Sequence, residues 1–174
     1  MSNEIAKGYG YEPPTGPYLR LKTKGEKFRL RLVSDPLHFH DVIPKGNPPD
    51  ENGVKTDKIV TKTAWIAILK DEDGAPLRVV CYDCGPMIYK FVKALAENKQ
   101  WGDPKLYDIE VVRTQVEGAY YSVSPLPRPI GPLTEREQQM VMDANLDLTK
   151  LCIKDIPAGA STGPAEEEVD AFAD

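Results

Sequence analysis

The sequence predicts a mainly β fold, in which five or six short strands form a small barrel and one helix follows the third strand. Apolar and polar residues alternate in five stretches, and one intervening stretch changes to helical spacing. Most of the 16 prolines and 13 glycines lie between these stretches or near the chain ends, where they mark loops. A length of 174 residues with 41% hydrophobic residues suits one domain with extensions.

The first alternating stretch is "YLRLKTKGEKFRLRLVSD" (18–35). Its apolar residues recur at every second position on either side of a turn near Gly25, which predicts half-buried strands. The outward positions carry bases and one acid, Glu26. The stretch therefore predicts an exposed basic face formed by Arg20, Lys22, Lys24, Lys27, Arg29 and Arg31.

The next two strands, "IVTKTAWIAILKD" (59–71) and "APLRVVCYD" (75–83), are joined by a "DEDG" turn and predict a hairpin. The segment "GPMIYKFVKALAENKQ" then changes period. Its apolar residues recur at i, i+3, i+4 and i+7, which predicts an amphipathic helix with a buried stripe of Ile88, Phe91, Val92 and Leu95.

A second hairpin is predicted from "KLYDIEVVRT" (105–114) and "GAYYSVSPLP" (118–127). An outer helix follows in "LTEREQQMVMDANLDLTKLC" (133–152), where Thr134 and Glu137 have the spacing of a capping box. This order of elements is what a five-stranded Greek-key barrel of the OB type requires. An α+β sheet covered by two helices is the alternative.

The acidic charge is concentrated at the C-terminal end. The chain has 27 Asp and Glu against 22 Lys and Arg, and the excess of five acids lies entirely after residue 156. This end is rich in Gly, Pro and acids and holds too little apolar surface to order itself. The predicted organisation is a flexible arm (1–17), the barrel (18–132), a helix packed on it (133–156) and a disordered acidic tail (157–174).

Catalytic signatures are absent from the sequence. It has no phosphate-binding loop, no dinucleotide-binding glycine motif, no H-E-x-x-H and no G-x-S-x-G, and its two histidines restrict acid–base schemes. We therefore expect no enzymatic activity and no cofactor. With no long apolar segment or secretory signal, the chain is expected to be soluble and intracellular, with reduced cysteines and no membrane partner.

A zinc site is one alternative that the sequence leaves open. The ligand types come from "HFH" (38–40) and "CYDC" (81–84). A single Cys-x-x-Cys is a weak signal, however, and on a strand its two cysteines point to opposite faces. The prediction is no metal, with His38, His40, Cys81 and Cys84 as the candidates if one binds.

Single-stranded nucleic acid suits the sequence better. Such binders combine a positive groove with aromatic rings on which bases stack. Aromatic residues on strands more often pack in a core, and we assign Phe28, Phe91 and Tyr107 there, with Trp101 capping the barrel. Besides the basic face, the candidate DNA-binding residues are Tyr18, Lys62, Trp65, Tyr82 and Tyr120. Ala64, Ile66 and Ile68 share one face of the predicted strand. Trp65 should therefore point to the opposite face, where a base could stack on its ring.

These residues resemble the single-stranded DNA-binding proteins of tailed bacteriophages. The resemblance rests on "FRLRLVSDPLH", "TAWIAIL" and above all "WGDPKLYDIEVVR" before "GAYYSVSPLP", and it covers roughly residues 18 to 127. It implies an OB fold that coats single strands without sequence preference during replication or recombination, in the cytoplasm of the infected bacterium.

The resemblance also implies that the acidic tail docks replication or recombination proteins through Glu166, Glu167, Glu168, Asp170 and Phe172. Phe172 is third from the end rather than last, which departs from that pattern. Two alternatives remain: an RNA or mixed nucleic-acid binder on the same barrel, and a protein–protein adaptor that binds no nucleic acid.

Overall fold

The computed structural model describes residues 18–19, 25–114, 120–153 and 161–162. It is mainly β, with eight strands in one sheet among these residues. The strands are β1 (Tyr18–Leu19), β2 (Lys27–Leu32), β3 (Leu37–Ile43), β4 (Lys58–Lys70), β5 (Pro76–Cys84), β6 (Tyr107–Arg113), β7 (Tyr121–Ile130) and β8 (Ser161–Thr162). The helices are α1 (Pro86–Glu97), α2 (Glu135–Ala144) and α3 (Leu148–Cys152), with one 3₁₀ turn (Pro104–Leu106) before β6.

The sheet is built around the long strand β4. The strand order is β1-β5-β4-β2-β6-β7, while β3 and β8 pair with the first part of β4. Five pairings are antiparallel: β2–β4, β3–β4, β4–β5, β2–β6 and β6–β7. The two short strands pair in parallel, β1 with β5 and β8 with β4. Strand β2 joins the two halves of the sheet, because it pairs with β4 on one side and with β6 on the other. The arrangement agrees with a barrel-like β fold.

The main core lies on one face of this curved sheet. Alternate residues of β2, β4, β5 and β6 point into it, such as Leu30 and Leu32 on β2, and α1 closes it with Ile88 and Val92. The buried members of this core are Leu19, Leu30, Leu32, Trp65, Ala67, Val80, Tyr82, Cys84, Ile88, Val92, Tyr107, Ile109 and Val111.

The opposite face of the sheet is covered as well. Phe39, Ala64 and Cys81 form a second buried cluster with Cys152 of α3, and Leu148 and Leu151 pack against it. A face that alternation alone assigns to solvent is therefore partly buried beneath the C-terminal helices.

The predicted hairpins β4–β5 and β6–β7, helix α1 and the capping box at Thr134 and Glu137 are confirmed. Phe91, which we assigned to the core, is 40% exposed, because the buried stripe of α1 runs through Met87, Ile88 and Val92 instead. The outer helix is interrupted at Asn145, whose left-handed backbone (φ 46°) ends α2 before α3 begins.

One strand differs from the prediction. The segment Leu37–Ile43 forms β3, although we assigned no strand there. Strand β1 pairs in parallel with β5. Among the described residues, no helix is long and apolar enough to cross a bilayer.

Candidate nucleic-acid interface

Several predicted DNA-binding and partner-docking residues lie outside the described part of the chain. These are Arg20, Lys22, Lys24, Glu166, Glu167, Glu168, Asp170 and Phe172, and Tyr18 is described for its backbone alone. Of the remaining basic residues, Lys27 is exposed, with Nζ 3.9 Å from carboxylate oxygens of both Glu72 and Glu110.

The prediction that Arg29 and Arg31 lie on an exposed basic face is wrong. Arg31 is 1% exposed: Nε donates to the Lys105 carbonyl at 2.7 Å, and Nη2 donates to the Gly131 carbonyl. Arg29 is partly buried and its Nε donates to Asp108 Oδ2 at 2.9 Å. Both point away from the main core, as alternation requires, but other parts of the chain cover that face.

Lys62 lies on the same face of β4 as Ala64, which its parity predicted. Its ammonium lies 3.1 Å from Asp41 Oδ2 and 3.6 Å from Asp83 Oδ2. Its side chain is mostly buried between these two carboxylates, so Lys62 is already neutralised within the protein.

The expectation that Trp65 and Tyr82 stand on an exposed stacking face is also wrong. Each is 3% exposed, and the two face each other across β4 and β5 inside the main core. Trp65 and Ala67 point into the main core, whereas Ala64 points to the other face of the sheet and packs near Cys152 of α3. Tyr120 is half-buried at the start of β7.

The candidate zinc ligands are distributed over different environments. His38 and His40 lie on one face of β3, Cys84 belongs to the main core, and Cys81 belongs to the cluster beneath α3. The two cysteines thus point to opposite faces, as expected for a strand. Cys81 Sγ lies 3.7 Å from Cys152 Sγ. In the part of the chain that the structure describes, no three metal-ligating side chains come together.

A buried ion cluster occupies the covered face of the sheet. Lys70 Nζ bridges two carboxylates, at 3.0 Å from Asp108 Oδ1 and 2.7 Å from Glu137 Oε1. Arg31 Nη1 lies 3.8 Å from Asp108 Oδ1. The side chains of Lys70, Arg31 and Asp108 are 2% exposed or less, so three β-strands supply buried charges and α2 supplies Glu137.

The electrostatics of the cluster follow from burial and pairing. Burial alone would raise the pKa of Glu137, but hydrogen bonds from Lys70 and the Thr134 amide, with the charges of Lys70 and Arg31, outweigh it and hold this pKa below its usual value. Burial lowers the pKa of Arg31, partly offset by the Asp108 and Glu137 charges. Glu137 is therefore an anion at neutral pH and balances the cations beneath it.

On the α1 side of the sheet the surface opens into a cleft of about 420 Å³. One wall is the face of α1 that carries Tyr89, Val92, Lys93 and Ala96, whose i, i+3, i+4 and i+7 spacing sets them in line. Leu32 and Trp65 form the apolar floor. The segment after β2 and the turn before β6 close the other sides with Ser34, Asp35, Pro36, Asp103, Pro104 and Lys105.

Three aromatic rings in successive contact, those of Trp65, Tyr89 and His38, extend from the cleft floor to β3. The Trp65 and Tyr89 ring centroids are 6.3 Å apart with planes tilted by 32°, and the His38 ring meets Tyr89 edge-on at 4.8 Å. His38 is exposed, and its Nδ1 is hydrogen bonded to Thr63 Oγ1 at 2.8 Å, which fixes the ring. The rings of Tyr89 and His38 thus offer partly open π faces beside an apolar floor.

The rim of the cleft carries two lysines and two aspartates. Lys105 Nζ donates to Asp35 Oδ1 at 2.7 Å, which raises the pKa of Lys105 above its ordinary value. Asp103 caps the 3₁₀ turn by accepting from the Lys105 amide, and Lys93 lies 3.8 Å from Glu97 on the same helix. The cleft can therefore hold a flat, apolar ring, and each of its two lysines already lies beside a carboxylate of the protein.

Tyr89, Lys93 and Lys105 were not among the DNA-binding residues predicted from the sequence. The helical spacing of Tyr89, Val92, Lys93 and Ala96 is visible in the sequence, but it defines a second stripe beside the buried one. Which stripe faces a cleft depends on the packing of α1 and on the turn that carries Lys105. Comparison of the chain with protein-family models, curated proteins and solved structures finds no match.

Proposed function

We propose that the protein binds single-stranded DNA without sequence preference, and that unpaired bases enter the cleft between α1 and the sheet. The observation that carries this proposal is the apolar cleft floored by Trp65 and continued by the Tyr89 and His38 rings. Stacking on such rings accepts any base, because every base has a π face. The proposed role is non-enzymatic and needs no cofactor.

The sheet supports the same proposal at the level of topology. Strand β2 pairs with both β4 and β6, and α1 connects the β4–β5 hairpin to the β6–β7 hairpin. A Greek-key barrel of the OB type has this connectivity, and we propose that fold here. On the stated resemblance, the proposed setting is phage replication or recombination in the bacterial cytoplasm, with the acidic tail docking partner proteins.

The first test is a titration of tryptophan fluorescence with a dT oligonucleotide of about 30 nucleotides at several salt concentrations. We expect binding that weakens with salt and is much weaker for duplex DNA of the same length. A matched RNA oligonucleotide separates the DNA-specific protein from a general nucleic-acid binder. If labelled dT oligonucleotide does not bind at low salt, the proposal is wrong and an adaptor role is favoured.

The second test places the bases in the cleft. Tyr89→Ala should weaken binding of dT oligonucleotide by about 1–3 kcal/mol, because one stacking ring is lost. Phe91→Ala is the matched control, since Phe91 is an exposed aromatic residue on the same helix but does not line the cleft. Tyr89→Leu keeps an apolar side chain without a ring, and it should weaken binding similarly if both variants remain folded by circular dichroism.

Equal affinities for the Tyr89→Ala and Phe91→Ala proteins would exclude the cleft as the base-binding site. In that case a wild-type protein that still binds the oligonucleotide would use another surface.

A further inference from the structure

Helix α2 faces the sheet with one carboxylate and three apolar residues. Of its ten residues, Glu137 is the one that is fully buried, and Met140, Val141 and Ala144, which follow it at i+3, i+4 and i+7, are half-buried. Helices usually dock through an apolar stripe. The attachment of α2 to the sheet therefore combines this partly buried apolar stripe with the buried ion pair between Glu137 and Lys70.

The sheet beneath α2 has an excess of positive charge. Among the described residues, Arg29, Arg31 and Lys70 lie on this face with two sheet carboxylates: Asp108, which contacts all three, and Glu110, which is the register partner of Arg29. These five groups carry a formal charge of about +1 until Glu137 arrives from α2. Buried cations require a nearby anion, so Glu137 fills an anion-binding position that the strands themselves create.

This face is joined to the cleft. Arg31 Nε donates to the carbonyl of Lys105, and the Lys105 side chain lies on the cleft rim. The Lys105 and Gly131 carbonyls cover Arg31, and Glu137 of α2 covers Lys70. A DNA backbone that leaves the cleft past Lys105 would thus pass close to Arg31, and it would meet Lys70 if α2 were displaced. Guanidinium and ammonium groups in this arrangement are suited to phosphate oxygens.

We propose that Arg29, Arg31 and Lys70 form a covered phosphate-binding site, and that a backbone phosphate of single-stranded DNA displaces Glu137 and lifts α2 from the sheet. This inference rests on the proposed function, to which it adds a second contact surface and a competing internal anion. With α2 in place, the strand is held at the cleft. With α2 displaced, the same strand also neutralises the basic face.

The test uses the full-length Glu137→Gln protein, which removes the charge but keeps the side-chain length. Glu135→Gln is the matched control, because Glu135 is an exposed residue in the first turn of the same helix and its substitution changes the net charge equally. We expect Glu137→Gln to bind dT oligonucleotide about fivefold more tightly or better. Its log–log salt slope should be steeper by about 0.7 for each added phosphate contact. Glu135→Gln should change affinity less than twofold or so.

Inorganic phosphate tests the anion site without DNA. At constant ionic strength, replacing chloride by phosphate should raise the melting temperature of Glu137→Gln more than that of Glu135→Gln. In the wild-type protein, phosphate should accelerate hydrogen exchange in α2, because it competes with Glu137 for Lys70. This wild-type measurement remains decisive if Glu137→Gln fails to fold.

The outcomes separate this inference from the proposed function. If no protein binds the oligonucleotide but phosphate acts as described, the anion site stands and the proposed function is wrong. If the wild type binds DNA while Glu137→Gln and Glu135→Gln behave alike towards DNA and phosphate, the covered site is wrong. Faster α2 exchange in Glu137→Gln without tighter DNA binding also contradicts it, because Glu137 would then be a structural anchor alone.

Discussion

Trp65 shows how a residue can belong to a core and to a site at once. It is buried among strands β4 and β5, yet its ring forms part of the cleft floor. A tryptophan in this position contributes chiefly through packing, since little of its surface is open to a ligand. Its exchange for a small residue should therefore affect folding more than binding.

We predict that Trp65→Ala lowers the free energy of unfolding by about 3–5 kcal/mol, as expected for removal of a large buried ring. Denaturant unfolding followed by far-ultraviolet circular dichroism measures this loss. Trp101→Ala is the comparison, because Trp101 is only partly buried against the same core and its loss should be smaller. A Trp65→Ala protein of wild-type stability would mean that the ring does not pack in the core.

A second prediction at the scale of single residues concerns the reactivity of the cysteines. All three are buried thiols outside any disulfide, and burial, with the proximity of Cys152, raises the pKa of the Cys81 thiol to about 12. Because the thiolate is the reactive form, Cys81 should react slowly with a thiol reagent at about pH 8 in the native protein and rapidly after denaturation. Mass spectrometry after timed labelling distinguishes the three sites. Rapid native labelling of Cys81 would show that α3 does not stay on β5.

At the scale of elements, the attachment of α2 should depend on pH. The folded-state pKa of Glu137 is depressed, so its contribution to stability is present above the unfolded-state value of about 4.3 and is lost as the pH falls through the lower folded value. The charged groups facing it are Lys70 of β4 and Arg31 of β2, with Asp108 of β6 behind Lys70.

We therefore expect α2 amides to be protected from hydrogen exchange at about pH 5 to 7 and to lose protection below about pH 4. The β4–β5 hairpin is the internal reference, since the same acid range should affect it less. Glu137→Gln should show weak protection at every pH. Protection of α2 that is independent of pH and of this substitution would mean that other contacts hold the helix.

The elements also show what could be read from the sequence. Hairpins β4–β5 and β6–β7 and helix α1 follow local periodicity, which depends on neighbours along the chain. Strand β3 was missed because "LHFHDVI" carries two histidines and an aspartate, and it is stabilised as a strand by non-local pairing with β4.

The site was harder to predict for the same physical reason. Alternation correctly placed Arg29 and Arg31 opposite the core, but the cover over Arg31 comes from Lys105 and Gly131, which are 74 and 100 positions away. Likewise, the cleft joins a helix, a strand end and a turn that are separate in the sequence. Trp65 was selected for stacking on the assumption of an exposed face, whereas Tyr89 is the ring that borders both the cleft and its opening.

At the scale of the whole molecule, the sheet uses its two faces differently. One face builds the core and ends in the cleft, and the other holds charges beneath the C-terminal helices. The described surface of the cleft rim balances two lysines with two aspartates. Stacking, rather than net charge, should therefore supply much of the affinity at the cleft, and any additional acidic segment near it would oppose binding.

We predict that the acidic C-terminal end opposes DNA binding. A deletion should begin at residue 163, because Ser161 and Thr162 pair with Lys58 and Ile59 of β4. It removes all five excess acids and brings the formal net charge from −5 to zero. We expect the truncated protein to bind dT oligonucleotide as tightly as the full chain or more tightly, with the difference largest at low salt and vanishing as salt screens it.

The control for this truncation keeps the length and removes the charge, with E166Q, E167Q, E168Q, D170N and D174N in one chain. If repulsion between two polyanions is the cause, this chain and the truncated protein should gain the same affinity. A gain confined to the truncated protein would instead indicate steric exclusion. A large loss of affinity in the truncated protein alone would mean that the segment contacts the strand through groups other than its acids, and a large loss in both chains would contradict repulsion altogether.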